Sequence, residues 1–227
     1  LFNALTHAQN AQAANYPFCT IEPNKATVAL ADPRLDALAQ IVHPEQVVKA
    51  TVDFIDIAGL VRGASKGEGL GNKFLANIRE TDAILQVVRC FADDDVVHVE
   101  GEVDPVRDIE IVETELVLAD LQSVEKRLDR IARQARADKD LRKEVEAMER
   151  LLRHLNAGNP VRTFPREEAD PIANTLTELQ LITDKPVIYC ANVGEIDLAA
   201  NSGSVARVRA FAAEKGSDVV VISAKME

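Results

Sequence analysis

Three short, almost unbroken apolar runs limit what this chain can fold into: Ile84-Leu85-Gln86-Val87-Val88, Val187-Ile188-Tyr189-Cys190 and Val219-Val220-Val221-Ile222. A strand with one wet face alternates apolar and polar residues. A run without alternation reads as a strand covered on both faces, the pattern of parallel sheets. Together with the β-branched stretches upstream, it predicts strands at 25–30, 47–57, 83–90, 186–192 and 218–223. Helical spacing at 71–80 and 204–215 alternates with them, which predicts an α/β fold with a mostly parallel sheet.

Between 108 and about 157 the alternation stops. Val117, Leu121, Val124, Leu128, Ile131 and Ala135 recur at intervals of four and three. After a polar turn at 138–140, Leu141, Val145, Met148, Leu152 and Leu155 do the same. Two heptad-like stretches with a short break predict an inserted antiparallel helical hairpin of coiled-coil type, closed by Gly158 and Pro160. The plainer alternative is an ordinary pair of packing helices inside the main domain.

The 227 residues carry a net charge of −11, which argues against general electrostatic binding to nucleic acid or an anionic membrane. Nothing in the sequence suggests sequence-specific DNA binding. From Lys126 to Arg153, however, ten Lys/Arg stand against six Asp/Glu, a local +4 that leaves the remainder at −15. Such a run is either the solvated face of a helix pair or a projecting arm whose basic side meets an acidic surface such as ribosomal RNA. No apolar stretch approaches the roughly 20 residues of a membrane span. Cys90 and Cys190 sit inside apolar runs, and with Cys19 they show no CxxC spacing, so they read as free thiols of a reducing, cytoplasmic setting. Residues 1–6 lack the charged start of a signal peptide and read as helix interior, so the chain is expected to be a fragment at both ends.

The motif richest in chemistry is Val52-Asp53-Phe54-Ile55-Asp56-Ile57-Ala58-Gly59-Leu60. An apolar strand ending in Asp-x-x-Gly is what a P-loop NTPase needs beside the γ-phosphate: Asp56 to hold magnesium through water, Gly59 to bring an amide close. Many strand-to-turn junctions share that spacing. Here Gly63, Gly67, Gly69 and Gly71 follow at once, which predicts a loop that changes conformation with the γ-phosphate. Upstream, Asn15-Tyr16-Pro17-Phe18-Cys19-Thr20-Ile21-Glu22-Pro23-Asn24 presents one hydroxyl, Thr20, as a direct magnesium ligand or as a mere turn cap. Downstream, one strand runs into Asn192-Val193-Gly194-Glu195 and the next into Ser223-Ala224-Lys225. In GTPases an Asn-Lys-x-Asp loop and a Ser-Ala-Lys loop clamp the base, the Asp accepting from guanine N1 and N2. Val193 and Glu195 stand where Lys and Asp would, which weakens the guanine reading.

These stretches, with Asp56-Ile57-Ala58-Gly59-Leu60-Val61, Gly67-Glu68-Gly69-Leu70-Gly71-Asn72-Lys73-Phe74-Leu75 and the 91–105 segment with Asp93-Asp94-Asp95, resemble the YchF family of Obg-related ATPases. The resemblance covers essentially the whole chain. It implies a P-loop NTPase G domain (1–106 and 161–227) interrupted by a helical coiled-coil insertion (107–160), with a TGS-type domain beyond Glu227. It implies a phosphate loop, Asn-Val-Gly-Lys-Ser-Thr, just before Leu1. It also implies ATP preferred over GTP, Mg2+ with K+ as a further candidate cation, and association with the ribosome through its RNA or protein. The nucleotide site would then comprise Thr20, Asp56, Gly59, Asn192, Val193, Glu195, Ser223, Ala224 and Lys225, with Thr20 and Asp56 on the metal. Leu60, where many relatives of Ras carry a water-orienting Gln, has no polar group. The resemblance points to His98 as the catalytic residue instead, with a plain surface His as the alternative.

Two rival readings stand beside an ATP-hydrolysing ribosomal switch. One is a guanine-specific GTPase of the Obg type. The other is a ribosome-binding module in which nucleotide only orders the switches. Without its phosphate loop the isolated chain is expected to be inactive.

Overall fold

A computed structural model of the chain describes residues 1–6, 24–57, 70–92, 103–135, 138–195 and 203–226. They fall into two compact units, Leu1–Ala58 and Gly59–Met226.

The first unit holds α1 (Phe2–Thr6), β1 (Asn24–Ala29), α2 (Pro33–Val42) and β2 (Thr51–Asp56). β1 and β2 pair antiparallel from Asn24 opposite Asp56 to Ala29 opposite Thr51. A 2.6 Å bond from Thr27 Oγ1 to Asp53 Oδ1 locks the register from the solvent side. The strand predicted from residue 47 begins only at Thr51. β1 gives way at Ala31-Asp32-Pro33 to α2, so beyond a last bond from the Leu30 amide to the Ala50 carbonyl (2.8 Å) the 47–49 segment has no partner strand among the described residues, and Val47 and Val48 stay exposed. α2 opens on Asp32, whose side chain accepts from the Arg34 amide, with Pro33 pre-set in the first turn. It closes at His43, whose left-handed φ of 48° directs its amide to Ala39.

The second unit contains α3 (Leu70–Arg79), β3 (Ile84–Arg89), α4 (Pro105–Gln134), α5 (Lys139–Asn156), α6 (Arg166–Ala169), α7 (Ala173–Leu179), β4 (Val187–Asn192), α8 (Gly203–Lys215) and β5 (Asp218–Ile222). β3, β4 and β5 form a parallel sheet in that order, Ile84 beside Val187 and Ile188 beside Asp218. These are the three apolar runs. One face is covered as expected: Val88, Cys90, Val187, Tyr189 and Ala191 pack against Ile109 of α4 and Val205, Val208 and Ala212 of α8. On the opposite face Leu85, Val87, Ile188 and Val220 remain 37–52% exposed. The predicted two-sided cover is therefore present on one side among the described residues, because α4 and α8 both lie on that side.

α4 and α5 make the antiparallel hairpin. Asp104 caps α4 through the Arg107 amide, with Pro105 at the first position, so the helix starts three residues before the predicted 108. Its early turns serve the sheet through Ile109, and its later ones serve the hairpin through Val117, Val124 and Ile131. On α5, Met148 and Leu155 sit at the predicted spacing, but Ala147 and Leu151 are buried as well. The wider face arises because α5 packs on two sides. Val161, Phe164, Ala169, Ile172, Leu176 and Leu181 close the same core from the segment that follows it.

Polar clamps fix the hairpin's root. Asp120 of α4, fully buried, accepts from the amides of Ile182 (2.9 Å) and Thr183 (2.7 Å) and from the Thr183 hydroxyl (2.7 Å). Burial pushes its carboxyl pKa up, and the three donors oppose that shift. Arg79, at the end of α3, donates to Ser123 Oγ and to the Leu179 and Gln180 carbonyls. Glu113 is held between Arg162 and Lys215.

Candidate functional site

β4 and β5 lie side by side with their C-terminal ends together, so the loops that leave them are neighbours. That topology brings Asn192, Glu195, Ser223, Ala224 and Lys225 into one place although some 30 residues separate the two groups in the chain. The Val193 amide donates to the Ile222 carbonyl at 2.8 Å and carries the ladder one step past the strand. Asn192 ends β4, and its backbone carbonyl takes the amide of Cys90 (2.8 Å), one residue past β3. Its side-chain Oδ1 accepts the amide of Ala224 at 2.9 Å, a bond from the first loop to the second. An amide N–H can only donate, so this contact fixes which end of the Asn192 side chain faces Ala224. The Nδ2 end has no partner among the described residues.

Ser223 is 2% exposed, and its hydroxyl finds no hydrogen-bond partner among the described residues. A buried hydroxyl left unpaired is costly in a finished protein, so its position at the mouth of this loop pair suits a group completed by a ligand. The Met226 amide closes a turn onto the Ser223 carbonyl at 3.0 Å. Across the loops Lys225 Nζ lies 3.3 Å from Glu195 Oε1, with the two side chains 84% and 51% exposed. Val193 behaves differently from the others. Its side chain turns into the sheet core and its amide is spent on Ile222, so only its carbonyl is left to meet a base.

Asp56 closes β2 opposite Asn24 and is half-buried, and its carboxylate makes no bond among the described residues. A single unengaged carboxylate at a strand end fits a magnesium ion held through water, and it is too little to hold a bare ion alone. Among the described residues no group of three or more His, Cys, Asp or Glu is placed to hold a metal. Thr20, Gly59 and His98 lie outside the described residues, as do Cys19 and the glycines at 63, 67 and 69. No described helix is long and apolar enough to cross a membrane.

A family model described as 50S ribosome-binding GTPase matches residues 1–114. The "Ribosome-binding ATPase YchF" of Haemophilus ducreyi is 51% identical over 228 residues, covering 100% of this chain and 62% of that protein. The protein of the same name from Bacillus subtilis is 46% identical over 230 residues with the same coverage. The chain belongs to the YchF family. The solved structure of the Schizosaccharomyces pombe YchF GTPase superposes with a TM-score of 0.76 at 37% identity, covering 98% of this chain and 61% of that one. The chain thus spans about three fifths of the length of these relatives. Its fold is the α/β fold of the P-loop NTPase class that the sequence predicts.

The motifs single out Asn192, Glu195, Ser223, Ala224 and Lys225 but not the two contacts that join their loops. The bond from Ala224 to Asn192 and the pair between Lys225 and Glu195 both run between loops. The signal that could have found the second is the opposite charge of Glu195 and Lys225, each three residues past the end of its strand.

Proposed function

We propose that the protein containing this chain is a ribosome-associated switch that hydrolyses the γ-phosphate of ATP with magnesium and prefers ATP to GTP. The observation that carries the reading is the bond from the Ala224 amide to Asn192 Oδ1. Guanine presents an acceptor at O6 where adenine presents an amino donor, and both present an acceptor at N7. With the Ala224 amide already taken, guanine O6 cannot use it as a donor. The unengaged Nδ2 of Asn192 can still serve N7 of either purine. Binding guanine would first require breaking an internal bond, and a site that leaves polar groups unpaired discriminates strongly. Asp56 holds the metal through water, with Thr20 as its direct ligand, Gly59 beside the γ-phosphate and His98 orienting the attacking water. The curated relatives carry the name ribosome-binding ATPase, which supports both halves of the proposal. Exposed basic residues on α4 and α5 supply the ribosome-facing side.

A GTPase reading has one observation in its favour, that the solved S. pombe relative is named a YchF GTPase, and the same experiment separates the two. MgATP and MgGTP are titrated calorimetrically into the full-length protein with its phosphate loop, and phosphate release is followed with and without ribosomes. Tighter ATP binding is expected, and tighter GTP binding refutes the base reading. Full-length protein carrying His98→Ala is expected to bind MgATP normally and to release phosphate at least ~100-fold more slowly, the usual worth of a general base. An unchanged rate removes His98 from the mechanism.

A further inference from the structure

Glu195 poses a problem that the Ala224 bond does not solve. It occupies the loop position from which a carboxylate reads the N1 and N2 hydrogens of guanine. A carboxylate only accepts, and adenine offers an acceptor, not a donor, at N1. Left free, Glu195 would attract guanine and repel adenine. In this structure it is not free, because Lys225 of the neighbouring loop sits 3.3 Å away. We propose that Lys225 determines which purine this pocket takes, by holding Glu195 in an ion pair and replacing an acceptor edge with a donor edge.

An ammonium carries three hydrogens and no acceptor, so one can serve Glu195 while another stays available to an incoming acceptor such as adenine N1. Lys225 follows Ala224 directly, and Glu195 lies three residues after Asn192, so the pair spans the same two loops as the Ala224 bond. In water such an exposed pair shifts an equilibrium by no more than about fivefold. A stacked base removes part of that water and lowers the local dielectric, which strengthens the pair while the base is bound. Guanine gains from Glu195 only by displacing Lys225. Adenine makes no such demand.

This role for Lys225 rests on the base-pocket reading above, and five forms of the full-length protein let the two fail separately. Dissociation constants for MgATP and MgGTP are measured on wild type, Lys225→Ala, Lys225→Arg, and Lys225→Ala combined with Glu195→Gln, with Glu195→Gln alone as reference. Freeing Glu195 in Lys225→Ala is expected to move the ATP-to-GTP affinity ratio toward GTP by about fivefold or more. Lys225→Arg keeps the pair and is expected to keep the ratio. With Glu195→Gln present, loss of Lys225 is expected to move the ratio less than it does beside the carboxylate, because only the donor to adenine N1 is then lost. A ratio within about twofold of wild type in Lys225→Ala, or an equal shift without the carboxylate, overturns the proposal while leaving the pocket intact. Failure of both nucleotides to bind wild type overturns pocket and proposal together.

Discussion

The two described cysteines illustrate how a parallel sheet treats reactive groups. Cys90 lies on the helix-covered face, where burial pushes its thiol up to about 11, with Cys190 and Asp108 adding to the shift. Burial raises the thiol of Cys190 as well. A raised thiol pKa means that the folded chain keeps a proton that the unfolded chain loses. Stability is therefore full below about 9, where the unfolded thiol ionises, and declines as pH rises from there toward 11. The matching chemical prediction is that iodoacetamide labels neither thiol in the native protein at pH 8, and labels both at once when the protein unfolds in denaturant. Native-state labelling of Cys90 at pH 8 would show that the sheet opens locally.

Among the elements, α5 is the one whose role exceeds its pattern. Met148 and Leu155 are buried at heptad positions, and Ala147 and Leu151 are buried beside them because the segment from Val161 to Leu181 lies against the helix's second side. Leu151 is completely buried, so Leu151→Ala is expected to cost about 2–5 kcal/mol of unfolding free energy, the range for a core leucine that leaves a cavity. Urea denaturation measures this. A loss below about 1 kcal/mol would mean that the hairpin is a bare two-helix arm with a wet second side. Period alone made the hairpin legible, since a 3–4 spacing repeated over two segments has few other solutions. It could not show the second side, because a residue's partners across the fold leave no regular spacing in its own helix. The failure at 47–50 has the same origin: Val47 and Val48 have strand-like side chains, but pairing depends on where β1 ends. The start of α4 at Asp104-Pro105 was readable from its cap and lay one turn outside the periodic window.

At the scale of the molecule, charge is unevenly spread, +4 on the 126–153 stretch against −15 elsewhere. The structure engages part of the basic set internally: Arg127 pairs with Glu144 and Glu178, and Arg150 with Glu168. Lys126, Arg130 and Arg133 recur at helical spacing on α4, are exposed, and have no ion-pair partner among the described residues. Replacing all three with alanine is expected to weaken ribosome co-sedimentation and to reduce its log–log salt slope by about 2–3. The thermal midpoint is expected to stay within about 2 °C. Undiminished co-sedimentation would make this stripe an ordinary solvated helix face. β3 and β4 are neighbours in the sheet but far apart along the chain. Ile84 waits for Val187, about a hundred residues later, and in an unstructured chain that closure carries the full entropy of a long loop. The α4–α5 hairpin shares one core with the 161–181 segment, and together they return the chain close to where it left. Once that shared core has formed, most of the loop is already spanned by helix. During synthesis the insertion can therefore fold first and act as a guide, delivering the late strand to the early one.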